Sequence, residues 1–312
     1  MLFVTFHGGK PGAHPLRNNV HAYDKHGNKV SQAVLDDSPG VVLDELRSIS
    51  VVGKFLYVVN ANKTQNSLLC YSGSGTSYQF VGKFASQQTT KSIVHPFDFA
   101  FDNAGHCYLS SQDTNLVSRF TVSADGKTGT PAAVAPALPA QANLLPGTFV
   151  ASSVANLCGL HTTAVATPLG LEYSADGIKK HSVRGVAWEN NALYVVDQVA
   201  GKVKVYGSDG QLLGQSNPVD SPVHLTVHNG TLYVTGGNKV FTGKLPAQPG
   251  NITLSAIPDL HVKNGGGMAF SNDGTVYIAS RTENVILKFD PSFRPVEFKC
   301  PLPDNPEFLL HV

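Results

Sequence analysis

Charge is scarce in this chain. Asp, Glu, Lys and Arg make up 14% of its 312 residues, against about 25% in ordinary soluble domains. Neither sign dominates, since 23 Lys and Arg face 22 Asp and Glu. Without a basic stripe there is no electrostatic footprint for nucleic acid or an anionic membrane surface. No apolar stretch approaches the roughly 18 residues that span a bilayer, so neither nucleic acid nor a membrane is expected as a partner. Cysteine is also rare. Cys70, Cys107, Cys158 and Cys300 lie far apart with no C-x-x-C pair, which leaves metal and redox motifs unsupported. Cys70 and Cys107 sit inside apolar runs, where a thiol behaves as a small hydrophobe. No G-x-S-x-G elbow occurs, so the signature of serine-centred hydrolysis is missing. Helical periodicity over about ten residues is absent between the strands, which argues against an α/β chain.

What fills the deficit is Gly, Ser, Thr, Asn and Gln, a turn-rich composition more common outside the cytosol than inside it. Asn62, Asn229 and Asn251 open N-x-T triplets that fit the glycosylation sequon. No leader precedes residue 1, so the chain is expected to be soluble, either cytoplasmic or secreted with its leader removed. A monomer is expected.

A repeat organises the rest. "ALYVVDQVAGKVKVYGSDGQLLGQ" (192–215) and "TVYIASRTENVILKFDPSFRPVEF" (275–298) share a Tyr-centred strand, a polar turn, a strand ending in an aromatic, a tight turn and a third strand. The pattern recurs at 106–126 and 55–75, trimmed at 231–245 and with a longer turn at 2–28. A short apolar strand precedes each copy: "LRSISV" (46–51), "PFDFAF" (96–101), "VRGVAW" (183–188), "PVHLTV" (222–227) and "GGMAF" (266–270). Period-two alternation and regular turn spacing mark these as strands. The leading strand of the first copy is missing, and "PEFLLHV" (306–312) supplies it from the other end of the chain. The expected fold is therefore all-β, a six-bladed β-propeller forming a single domain over 1–312. Its ring closes where 306–312 pairs with 2–6, which removes the open sheet edges.

Two long loops interrupt this pattern: 7–19 in the first blade, and a stretch between blades 3 and 4 from which an insertion of about 138–182 remains once an outer strand within 131–138 is set aside. Loops of this length in compact domains are usually functional or disordered. A small molecule or a protein partner is expected at this insertion face.

"HPFDFAFDNAGHCYLSSQDTNLVSRF" (95–120), "VRGVAWENNALYVVDQVAGKVKVYGSDG" (183–210) and "GGGMAFSNDGTVYIASRTENVILKFD" (265–290) resemble NHL-type propeller repeats. The likeness extends over most of the chain, with blades 1, 2 and 5 degenerate. It implies the fold; such propellers include enzymes, ligand-binding proteins and scaffolds.

In a propeller, second-to-third strand turns and blade-to-blade loops share one face. Glu45, Arg47, His95, Asp98, Arg184, His224, Asn264 and Glu307 are read at that channel mouth from the inner strands, with His7, Asp113, Asp197 and Arg281 from the second strands. Carboxylates, His and Arg converging on a concavity are what a hydrolase or lyase needs. Arg47, Asp98, Arg184, His224 and Arg281 are the candidate ligand-binding residues, the arginine forks suiting a carboxylate or phosphate. Glu45, Asp197 and His95 are the candidate catalytic residues. Asp98 and Asp197 also occupy repeat positions that suit hydrogen bonding to turns. Similarity to gluconolactonase-type propellers implies a divalent cation, calcium or zinc, on Glu45, Asn264 and Asp197 as a metal-assisted lactonase, esterase or lyase. The "E-G-P" entrance of that family is replaced here by "DELRS" (44–48), and "KNGGGMAF" (263–270) lacks its Asp. A three-histidine zinc site on His95, His224 and His311 is excluded, because their strand positions spread them over about 20 Å of channel.

Overall fold

The computed structural model describes residues 1–7, 18–36, 38–90, 92–132, 164–165 and 182–312. Among them there is no α-helix. The strands form six antiparallel sheets arranged as a six-bladed propeller. Each sheet holds an inner, second, third and outer strand in chain order, except in blade 1, whose inner strand Pro306–His311 is borrowed from the far end. Leu2, Phe3 and Val4 pair with His311, Leu310 and Leu309. The apolar character of both terminal segments follows from that pairing, since all of Leu2–Phe6 is buried.

The second strands show why the repeat reads as it does. Phe55–Asn60 and Ala192–Asp197 are buried at every position. Successive side chains of a strand point to opposite faces, and in a propeller both faces meet a neighbouring blade. Leu56 and Val58 pack towards blade 1, while Phe55, Tyr57 and Val59 pack towards blade 3. Leu193 and Val195 likewise face blade 3, and Ala192, Tyr194 and Val196 face blade 5. The hydrophobic core is thus divided into six clusters, one at each blade junction. Cys70 and Cys107 are free, buried members of the cluster between blades 2 and 3, and burial raises both thiol pKa values, that of Cys70 to about 12.

Blade 3 differs from expectation at its outer edge. Gly129–Pro131 pairs with the third strand at Val122 to Phe120, and Ala164–Val165 pairs with the same strand at Ser118 and Val117. The outer strand therefore lies ahead of 131–138, with a second piece far along the chain. Apart from Ser182, the remainder of the 138–182 insertion, and 8–17 of the blade 1 loop, lie outside the described residues.

Every inner strand carries one extra residue near its start. The ladder moves from Leu46 to Ile49 while the second strand moves from Asn60 to Val58, and the same slip recurs in the other five blades. Such bulges re-aim side chains beside functional sites. Here two consecutive residues of each blade turn towards the channel. Two of the pairs are glycine-containing for a steric reason: a Cβ on Gly185 would meet Leu225 N at 2.8 Å, and one on Gly267 would meet Phe308 Cα at 2.8 Å.

Candidate functional site at the channel mouth

The first residue of each bulge forms a layer across the mouth: Arg47, Phe97, Arg184, Val223, Gly266 and Glu307 in blades 2 to 6 and 1. Glu307 is 1% exposed and is the anchor of this layer. Arg47 Nη1 donates to its Oε1 at 3.2 Å, and Arg281 Nε lies 2.9 Å from its Oε2. His7 Nδ1 stands 3.5 Å from the same Oε2. Burial alone would raise this carboxyl, but Arg281 and Arg47 hold it below the usual range. Arg281 reaches Glu307 across Gly266, where a Cβ would lie 3.3 Å from Arg281 Cδ and 2.7 Å from Glu307 O.

His95 and Glu45 stand one residue before their inner strands, both with left-handed backbone, φ 52° and 48°. That conformation is uncommon outside glycine and clusters at functional sites. Arg47 Nη2 lies 2.8 Å from His95 Nε2, and Glu45 Oε2 lies 3.3 Å from the same nitrogen. Asp113 Oδ2 lies 3.2 Å from Nδ1. Gln112 Nε2 lies 2.6 Å from the same Nδ1, so the ring is set among two carboxylates, a guanidinium and an amide. Glu45 is held below its ordinary pKa by its His95 hydrogen bond and by Arg47, against the opposing effect of burial.

Arg184 is different. Its Nε donates to Gln198 Oε1 at 2.9 Å, its Nη1 donates to Gln112 Oε1, and its Cζ sits 5.4 Å from the Phe97 ring centroid. These partners are neutral. The three carboxylates of the mouth are engaged elsewhere: Glu307 by Arg47 and Arg281, Glu45 and Asp113 by His95. Burial, then repulsion from Arg47, brings its pKa down to about 10, so it stays charged at neutral pH.

Of the expected site residues, the fold brings together Glu45, Arg47, His95, Arg184 and Arg281, with His7, Asp113 and Glu307. Asp98 and His224 occupy the second bulge position and line the channel beyond the mouth layer. Asp197 is fully buried and holds its own blade together. Its Oδ1 accepts from the Ser182 and Ala200 amides, each at 3.2 Å, and its Oδ2 pairs with Lys204 Nζ at 2.9 Å. Asn264 is exposed, with φ 53°, at the entrance to the blade 6 inner strand. Glu45, Asp197 and Asn264 therefore do not make a cation site, and among the described residues no group of three His, Cys, Asp or Glu fits a metal. An Asp neutralised by a lysine and a mouth carrying three guanidiniums are poor hosts for a divalent cation.

Gln112 and Gln198, which sequence reasoning passed over, follow directly after the second strands His106–Ser111 and Ala192–Asp197. Arg281 and His7 hold the same register after Val276–Ser280 and Leu2–Phe6. Aligning the blades at that position is the signal that finds all four.

Fold and mouth together define a six-bladed β-propeller with an ion-paired, arginine-rich channel entrance. No protein-family model matches the chain, and no curated protein matches it in sequence. Its fold is similar to a propeller in the nidogen/laminin complex, at 12% identity over 99% of this chain and 97% of that one, with a TM-score of 0.58. Streptogramin B lyase is similar at 13% identity, 99% and 86% coverage and a TM-score of 0.55. A protein from Lactobacillus plantarum follows at 14% identity, 96% and 81% coverage and a TM-score of 0.55. At these identities the likeness establishes the fold alone.

Proposed function

We propose that this propeller is a ligand-binding protein whose channel mouth receives a small anion, a carboxylate or phosphate, on Arg184. The observation that carries the reading is the partner set of Arg184 among the described residues: two side-chain amides and an aromatic face, with no carboxylate. A half-buried guanidinium held by neutral groups keeps its charge and part of its fork for an incoming anion. Arg47 and Arg281 add positive potential while remaining tied to Glu307. A protein partner at the insertion face, the other reading of the sequence, would meet the same mouth through an acidic side chain or chain terminus.

Calorimetric titration of the full chain with acetate, succinate and phosphate tests this. At least one anion is expected to bind, and Arg184→Met to weaken it about tenfold or more, in line with a charge-assisted hydrogen bond of roughly 1.5–3 kcal/mol. Equal affinity of wild type and Arg184→Met for every anion, or no binding at millimolar concentration, would count against the reading.

A second reading, a hydrolase or lyase acting on an anionic ester or lactone, is supported by His95. Its ring lies between Asp113 at Nδ1 and Glu45 and Arg47 at Nε2, a cluster of the residue types that acid–base catalysis uses. Turnover of a lactone and ester panel that is lost in both His95→Gln and Glu45→Ala would favour it.

A further inference from the structure

Beyond the mouth layer, the channel widens into a bowl of about 560 Å³ opening on the opposite face. Its walls are set back because the inner strands carry Ser50, Ala100, Ala187, Thr226 and Ala269 there, small residues from five of the six blades. Phe97, Val223 and Phe308, which pack in one buried cluster, part this bowl from the mouth. Its floor is made by the second residues of the bulges, chiefly Ser48, Asp98, His224 and Phe308.

We propose that this bowl is a second binding site, distinct from the mouth, that takes a small organic amine as its ammonium ion. Asp98 is the counter-ion.

Three observations lead there. The first is charge. Among the described residues no lysine or arginine lines the bowl, while Asp98, Glu189 and Asp102 do, the last paired with His106 at 2.9 Å, so a cation is the ion it favours. The second is the floor chemistry. His224 is 8% exposed and, among the described residues, its Nδ1 has no partner. Burial brings its pKa down to about 4, so the ring adds no positive charge to the floor. Asp98 is 4% exposed. It accepts from the Phe99 amide at 2.8 Å, the Val186 amide at 2.9 Å and the Ser48 hydroxyl. A carboxylate has about four acceptor sites, which leaves one. Burial pushes its carboxyl up to about 7, as expected for a charge that lacks a counter-ion. An ammonium group offers donors only, and Asp98 offers it an acceptor.

The third observation is aromatic. Trp188 lines the bowl and stacks on Tyr108 at 5.2 Å and 7°, and His228 stacks on Phe270 at 4.3 Å and 4°. With Phe308 beneath, these rings give an organic cation π-faces to lie against. The volume falls within the ordinary range for small-molecule sites, roughly 300–1,000 Å³.

The test uses the full chain at pH 8 and three probes of one shape: tryptamine, the neutral tryptophol and the anionic indole-3-acetate. Calorimetry should show tryptamine binding at least tenfold more tightly than tryptophol, with Asp98→Asn abolishing that preference. Ala100→Leu, which fills the bowl without touching its polar floor, should abolish tryptamine binding; Thr226→Leu does the same from blade 5 should Ala100→Leu fail to fold, as judged by circular dichroism. Indole-3-acetate bound in a manner insensitive to Ala100→Leu belongs to the mouth and leaves the amine preference as the deciding result. Equal affinity for tryptamine and tryptophol, tryptamine binding that survives the filled bowl, or no tryptamine binding at 10 mM, on the order of the weakest affinity such a site would show, would overturn the proposal.

Discussion

The two ends of the channel are built from the same six strands and differ in nearly every physical property. At the mouth, Arg47 and Arg281 bind Glu307 and His95 bridges Glu45 and Asp113, so that most of the charges are paired with one another and Arg184 alone is held by neutral groups. At the other end, small residues and aromatic rings line the cavity, and among the described lining residues Asp98 has no lysine or arginine partner. The bowl at the other end is an open cavity of about 560 Å³. Adjacent positions of one bulge make this contrast, Arg47 beside Ser48 and Phe97 beside Asp98. A channel can thus carry opposite potentials within a few residues when an apolar layer separates them.

The largest effect that would break this contrast is loss of the mouth anchor. Glu307→Ala leaves Arg47, 2% exposed, buried without its carboxylate, and should cost about 3–5 kcal/mol, read by urea unfolding. The wild-type contribution carries a pH signature. Because the folded pKa of Glu307 lies below the ordinary 4.5, its stabilisation is complete above that value and is lost as pH falls below it.

The bowl should show the opposite sign. The Asp98 carboxyl, raised from 3.8 to about 7, favours folding most below pH 3.8, and that contribution is lost as pH rises towards 7. Between pH 5 and 8, wild type should lose about 1–3 kcal/mol relative to Asp98→Asn, measured as the difference between two denaturation series. His224 is already neutral throughout this window, and the rim groups Asp102, Glu189, His228 and His311 are common to both proteins. Parallel pH profiles for the two proteins would show that Asp98 is ionised throughout and that the electrostatic contrast is weaker than drawn here.

The smallest effect sharpens the mouth itself. Asp113, like Glu307, partners a cation-forming group there, but its side chain is 53% exposed. Asp113→Asn should change stability by less than about 1 kcal/mol, against several for Glu307. A cost as large as that of Glu307→Ala would mean that burial is not what separates the two pairs.

Much of this was legible beforehand. The apolar "FLYVVN" and "ALYVVD" runs predict strands buried on both faces, and the six blade junctions use their alternating side chains in that way. Ring closure follows from counting leading strands. Most of the mouth is also readable, because residues flanking the inner strands must lie near one another in a closed ring. Asp98 and His224 were read at the mouth, and the fold places them one layer deeper. Their depth depends on a one-residue bulge, which two-residue alternation does not reveal. Asp197 shared the residue type of a metal ligand, and only the position of Lys204 on the neighbouring strand decides that its carboxylate is occupied.

The sequence by itself determined the number of blades, the closure and the apolar junctions, because those rest on local periodicity and on the need to bury both faces of every central strand. The tertiary structure alone decided which charges meet. Arg47 and Glu307 stand 260 residues apart, and Arg184 ends among amides from blades 3 and 4. Ion pairing depends on ångström-scale distance and on depth below solvent, and neither quantity is written in the order of residues along one strand.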